Sequence, residues 1–149
     1  MDNSKMGITH QFIKEHGIEK ARKVIEGAPD KTATHYVVDT DTYFSEEFHT
    51  YFDHSLNDWE TADLHCVSDL EANYEFVLDI SELKRLVESV DLVNCNGGWN
   101  GTKNTITLFQ SSLDLGLYHG VDGVDAEVEI PRLKQAITDY EAIYLEVEQ

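Results

Sequence analysis

His49, Asp53, His54, Asp63 and His65 fall within 17 residues of one another. Imidazole and carboxylate together are a ligand set for zinc or iron. The spacing argues against that use. His49 and His54 are five apart, which matches neither the i, i+4 face of a helix nor the i, i+2 face of a strand, so solvated or core-edge histidines and no bound metal are expected. Cys66 follows His65 directly, and adjacent side chains on a strand point to opposite faces, so the two make no local nucleophile and base. No nucleophile elbow, Walker loop or dinucleotide fingerprint occurs. Gly97-Gly98-Trp99-Asn100-Gly101 has the residues to cradle a phosphate at a helix start, but glycine ending a helix explains it equally well. The expectation is no catalytic residue, no metal and no cofactor, with a metal-dependent small enzyme as the third-ranked reading.

The more informative chemistry is the placement of carboxylates. The chain has 149 residues, 29 of them acidic against 11 basic, for a formal charge of −18 at pH 7, and 41% of it is apolar. That is one domain's worth of chain with enough apolar residues to build a core, which sets aside wholesale disorder. Direct binding of nucleic acid is also disfavoured, because displacing counterions from phosphates takes a basic patch. The charge is uneven. Residues 1–31 carry six basic and five acidic side chains, whereas from Thr32 to Leu83 there are thirteen acids and no Lys or Arg. Nine of the fifteen aromatics fall in the same segment, so it is expected to fold, rings inside and carboxylates outside.

A folded surface that sets out carboxylates without cations can occupy the basic groove that a nucleic-acid-handling protein offers to DNA, whose duplex carries about one charge per 1.7 Å of axis. An ordinary solvated face mixes both signs. Asp39, Asp41, Glu46, Glu47, Asp53, Asp58, Glu60, Asp63, Asp69 and Glu71 are therefore the candidate partner-binding residues. The competing reading is an acidic interaction or regulatory domain without mimicry, its charge serving solubility and its binding an apolar patch. The aromatic surplus also leaves room for a homodimer interface.

These residues need elements to hold them. Ile8, Phe12 and Ile13 edge a first helix that Gly17 stops, and Ile18, Ala21, Val24 and Ile25 repeat at helical spacing until Gly27-Ala28-Pro29. Thr34 to Val38 and Thr42 to Phe44 read as strands around the polar turn Asp39-Thr40-Asp41. Residues 46–76 fit strand or helix. Asp79 with Glu82 forms a capping box, Leu78 with Leu83 a hydrophobic staple, and Leu83, Leu86, Val87, Val90 and Val93 line the helix that follows and ends at Asn94 to Gly98. A helix from Trp99 to about Phe109 is expected, with Thr105 to Phe109 as a strand the alternative. Gly116 to Asp125 reads as a turn region, and Ala126, Val128 and Ile130 as a one-sided strand. Pro131 would then open a last helix lined by Leu133, Ala136, Ile137, Tyr140, Ile143, Tyr144 and Val147. The fold class is α+β: a single domain with a small, mostly antiparallel sheet and N-terminal, central and C-terminal helices.

The run from Phe12 to Tyr36, with its short helix, Ala28-Pro29 turn and Ala33-Thr34-His35-Tyr36 strand, resembles the start of small accessory proteins of tailed phages and prophages. Glu82 to Asn94 with Gly97-Gly98, and Arg132 to Glu141, are similar to later segments of such proteins. The likeness spans about half the chain, excludes residues 39–76 and transfers no functional residue. It implies a phage product made in a bacterial cytoplasm that binds and disables host machinery, of the anti-CRISPR, anti-restriction or nuclease-inhibitor kind. A cytoplasmic location also agrees with an N-terminus that lacks the apolar run of a secretory signal, with the absence of any roughly 20-residue apolar span, and with Cys66 and Cys95 as free thiols. The expected partner is thus a host nucleic-acid-binding protein or nuclease complex, with neither nucleic acid nor membrane bound directly.

Overall fold

The computed structural model describes residues 4–62, 67–116 and 126–145, and these form an α+β fold of six helices and a five-stranded antiparallel sheet. The chain divides into two compact units, residues 1–85 and 86–149.

In the first unit, helix α1 (Ser4–His16) buries Phe12 and Ile13, and Gly17, at φ 91, turns the chain into α2 (Ile18–Glu26), which buries Ala21 and Val24. A side chain at that positive φ would be strained, which is why glycine stands there. Strands β1 (His35–Val37), β2 (Thr42–Ser45), β3 (Thr50–Asp53) and β4 (Asp58–Thr61) then form a meander, and after α3 (Val67–Asn73) the strand β5 (Val77–Asp79) returns beside β1, giving the order β4-β3-β2-β1-β5. Asp41, His49 and Asn57 each have a positive φ near 55° and each directly precedes a strand. Asp, His and Asn are the non-glycine types that best tolerate this conformation, so the three turns are written in the residues that close them.

Register fixes the two faces. His35, Val37, Phe44, Tyr51, Val77 and Asp79 share one, because His35 pairs with Phe44 and Asp79, Val37 with Val77, and Phe44 with Tyr51. Helix α3 covers it, Leu70 packing with Val37, Phe44 and Val77. Tyr36, Tyr43, Phe52, Trp59 and Leu78 share the other face. There the Tyr43 hydroxyl donates to the Val24 carbonyl of α2, and burial, with Asp41 adding to it, pushes that hydroxyl's pKa up to about 12. Tyr36 and Tyr43 are buried with ring centroids 4.9 Å apart.

Helix α4 (Ile80–Cys95) begins where expected. Asp79 Oδ1 accepts the Ser81 and Glu82 backbone N–H groups at 2.9 and 3.2 Å, so Asp79 caps the helix. The Glu82 carboxylate meanwhile accepts the Thr9 hydroxyl at 3.0 Å and ties α1 to this corner.

In the second unit, the remainder of α4 continues into α5 (Gly98–Asp114) and, further along, α6 (Ala126–Tyr144). Val93, Ala136 and Ile137 form a buried cluster flanked by Leu92, Trp99, Ile106 and Tyr140. The Trp99 indole N–H donates to Glu141 at 2.9 Å, and Lys103 lies 4.0 Å above the Trp99 ring.

The strand expected at Ala126 to Ile130 is instead the start of α6, and Pro131 is the sixth residue of that helix rather than its opener. Three alternating apolar residues are too short a pattern to outweigh the helical repeat Ile130, Leu133, Ala136, Ile137 and Ile143, all buried, while Val128 is 60% exposed. Glu127 and Glu129 sit in the first turn, where the helix dipole favours them, and Glu129 pairs with Arg132 at 3.1 Å. Helix α5 runs to Asp114, five residues past Phe109, which removes the strand alternative for Thr105 to Phe109. Within 46–76 the ambiguity resolves into β3, β4 and α3, with Phe48 exposed in the β2–β3 turn. Rings inside is correct for Tyr36, Tyr43 and Phe44 but not for Phe48 or Tyr51. Of the turn expected at Gly116 to Asp125, residues 117–125 lie outside the described residues, as does Val147.

Candidate functional site

A meander returns alternate turns to the same end of its sheet, and here that sorts the carboxylates into two groups. At one end the β1–β2 turn brings Asp39 and Asp41, the β3–β4 hairpin brings Asp53 and Asp58, and the approach to β5 brings Glu75. The turns touch: Glu75 N–H points at Asp39 Oδ2 at 3.5 Å, and His54 Nε2 lies 3.2 Å from the Asp41 carbonyl. At the opposite end the β2–β3 turn carries Glu46 and Glu47, near Asp79 at the close of β5. Glu60 is on the edge strand β4 opposite Tyr51, and Asp69 and Glu71 are on α3. Asp63 lies outside the described residues, as do His65 and Cys66.

Several of these acids also have structural work. Asp41 accepts the Tyr36 hydroxyl. Asp53 Oδ1 accepts the Ser55 hydroxyl at 2.6 Å and the Ser55 N–H at 2.9 Å, closing the β3–β4 turn, and these bonds hold its carboxyl below the usual carboxylate range. Asp30, held low by the Thr32 hydroxyl and N–H, accepts the Trp59 indole N–H at 3.0 Å and fastens the edge strand. Turn closure therefore accounts for part of the acidity, beside the display and solubility readings that the sequence left open.

The second group borders a cleft of about 340 Å³ between α3, the β1 and β5 strands and the N-terminal part of α1. Its walls are Ile8, Thr9, His35, Glu46, Val67, Ser68, Glu71, Val77, Asp79 and Glu82, with no Lys or Arg. His35, 8% exposed, is at its floor. Its Nδ1 lies 2.9 Å from Thr34 Oγ1, and its Nε2 is 4.0 Å from Asp79 Oδ2. Burial lowers the His35 pKa, opposed by the charges of Asp79, Glu46 and Glu71. At Asp79 burial acts to raise the pKa, but the Ser81 hydroxyl, the Glu82 N–H and His35 outweigh it and leave the carboxyl low.

Glu46 and Glu71 were legible in the sequence as candidates, and the structure brings them together. His35, Asp79 and Glu82 were not singled out as site residues, because the sequence showed only a strand histidine and a helix cap; their signal is the register that sets His35 opposite Asp79.

His49 and His54 flank β3 at opposite ends, so they do not converge. Among the described residues no group of three or more His, Cys, Asp or Glu side chains has the geometry to hold a metal ion, and no helix is long and apolar enough to cross a membrane. Cys95 is a free, exposed thiol at the end of α4. The chain matches no protein-family model, no curated protein and no solved structure.

Proposed function

We propose that this protein is a non-enzymatic inhibitor, of phage origin as its resembling segments imply, that docks its acidic sheet ends onto a basic nucleic-acid-handling protein of the bacterial host. The observation that supports this reading is topological. The meander delivers Asp39, Asp41, Asp53, Asp58 and Glu75 to one end of a sheet whose strands and turns contain neither Lys nor Arg. Carboxylates gathered without counter-cations produce a field that steers a basic groove onto them and competes with phosphates for it. Salt tests the reading. The protein, immobilised and exposed to a bacterial lysate at low ionic strength, should retain a nucleic-acid-binding protein that moderate salt or duplex DNA releases, and the triple variant Asp39→Lys, Glu47→Lys, Asp58→Lys should not retain it. Retention that is insensitive to salt, or unchanged in the triple variant, would overturn the reading.

One observation favours an interaction domain without mimicry. On the α3 face of the sheet, Val37, Thr42, Phe44, Tyr51, Ala62 and Tyr74 line a second, more apolar groove of about 370 Å³. Binding through it would survive salt, so the same experiment separates the two.

A further inference from the structure

We propose that helix α5 is the contact face of a homodimer in which two copies of this chain pack their α5 helices antiparallel; the inference goes beyond the docking reading above and does not rest on it. It starts from where charge is missing. The chain is 27% charged, yet from Leu92 to Leu113 the single charged side chain is Lys103. Helix α5 buries Thr102 and packs Ile106 against the core of its own unit. Its opposite face carries Asn104, Leu108, Ser111 and Leu115, all exposed, at steps of four, three and four residues, which keep side chains on one side of a helix. Leu108 and Leu115, 67% and 75% exposed, are the two most exposed large apolar side chains among the described residues. A single exposed leucine is ordinary, but two leucines seven residues apart on an uncharged face form a seam.

Charge selects a second copy as the occupant. A two-fold axis sets a surface patch against itself, and on a chain of net charge −18 most patches would set acid against acid. The Leu108 face sets none, and a basic partner has no carboxylate to find there. Its flank is complementary to itself. Lys103 and Asp114 stand eleven residues apart, three turns of helix, and so lie on the same side of α5 near its two ends. Antiparallel pairing brings Lys103 of each copy beside Asp114 of the other, whereas parallel pairing brings like charges together. With Leu108 facing Ser111 of the second copy, Leu115 faces Asn104, so each leucine of the seam meets a smaller side chain. Seventeen residues make a seam of about 25 Å, shorter than a standard interface needs, so the dimer should form and dissociate with concentration.

Sedimentation of the full chain tests this, with a reductant present because Cys95 is exposed and could crosslink copies. Between about 1 μM and 1 mM the mass should rise from the 17.0 kDa of one chain toward twice that value. Moderate salt should strengthen the dimer, since it screens the repulsion between two acidic chains. Leu108 is exposed, so Leu108→Glu should keep the fold and leave a monomer throughout, because the new carboxylate meets itself across the axis. Lys103→Asp and Asp114→Lys should each weaken the dimer several-fold, and the double reversal should restore it, an outcome that only antiparallel pairing gives. Thermal unfolding at low concentration checks that each variant is folded. A monomer at every concentration, a dimer that survives Leu108→Glu, or a double reversal no better than either single one would overturn the inference.

Discussion

Asp53 and Asp58 are register partners at the tip of the β3–β4 hairpin, two like charges directly opposite each other in the ladder. Such a pair destabilises a hairpin, by roughly 0.2–1 kcal/mol. Asp53 has a compensating role, since it closes the turn through Ser55, whereas Asp58 accepts the N–H of the adjacent Trp59 at 2.8 Å and closes no turn by that bond. Asp58→Lys should therefore raise stability by about 0.2–1 kcal/mol in urea unfolding while weakening partner binding at low salt. A variant that gained stability without losing binding would show the pair to be a structural accident of the turn.

His35 sets a pH dependence of stability whose sign follows from burial. Its folded pKa lies below the ordinary 6.5 because burial disfavours the imidazolium. As pH falls below about 6.5 the unfolded chain takes up this proton before the folded one does, so stability is full above that pH and declines beneath it until the folded pKa is passed. Asp79 adds a second decline at lower pH: its folded pKa is depressed, so its contribution is present above 3.8 and is lost as pH falls further. Urea unfolding of the wild type between pH 5 and 8 should show the first slope, and His35→Phe should flatten it.

How much of this was readable follows from which interactions are local. The cap at Asp79 and the turn at Asp41 act within a few residues of themselves, and residue type announces them, whereas the turns closed by His49 and Asn57 lie in the stretch 46–76 that fits strand or helix equally and were not legible. The helix face from Leu83 to Val93 was legible because its period is written along the chain. The cleft was not. His35, Glu46, Glu71 and Asp79 meet only because β1 lies between β2 and β5, and a strand order assembled across some 40 residues of sequence leaves no periodic trace. Ala126 to Ile130 misled in the opposite way, since a short apolar alternation also occurs within a helix whose decisive repeat comes later.

The second unit has its own buried polar lock. Ser89 on α4 donates to Asp139 Oδ2 on α6 at 2.7 Å across 50 residues, and Gln135 donates to Oδ1 at 3.1 Å. Ser89 and Asp139 are 6% and 2% exposed, so a lost donor is not replaced by bulk water. Ser89→Ala should cost about 1–3 kcal/mol, more than the cavity of one hydroxyl accounts for, because a hydrogen bond to a charged group is removed and the carboxylate stays buried. Chemical denaturation checks the figure, and Ser89→Thr, which keeps a hydroxyl, should recover part of the loss.

Two glycines inside helices should respond to alanine with opposite signs. Alanine normally favours a helix over glycine by about 0.8–1 kcal/mol. Gly7 in α1 is exposed, and a Cβ built on it meets nothing within 4 Å, so Gly7→Ala should stabilise the protein by about 0.4–1 kcal/mol. Gly101 is the fourth residue of α5, just after the turn made by Gly97 and Gly98 at positive φ, and there a Cβ would lie far inside van der Waals contact with the Asn96 carbonyl oxygen. Backbone has to shift to admit it, and overpacking of this kind costs about 1–3 kcal/mol, which outweighs the helix preference. Gly101→Ala should thus lower the midpoint of thermal unfolding while Gly7→Ala raises it. A stabilised Gly101→Ala would mean that the α4–α5 corner does not hold the close approach that makes glycine necessary there.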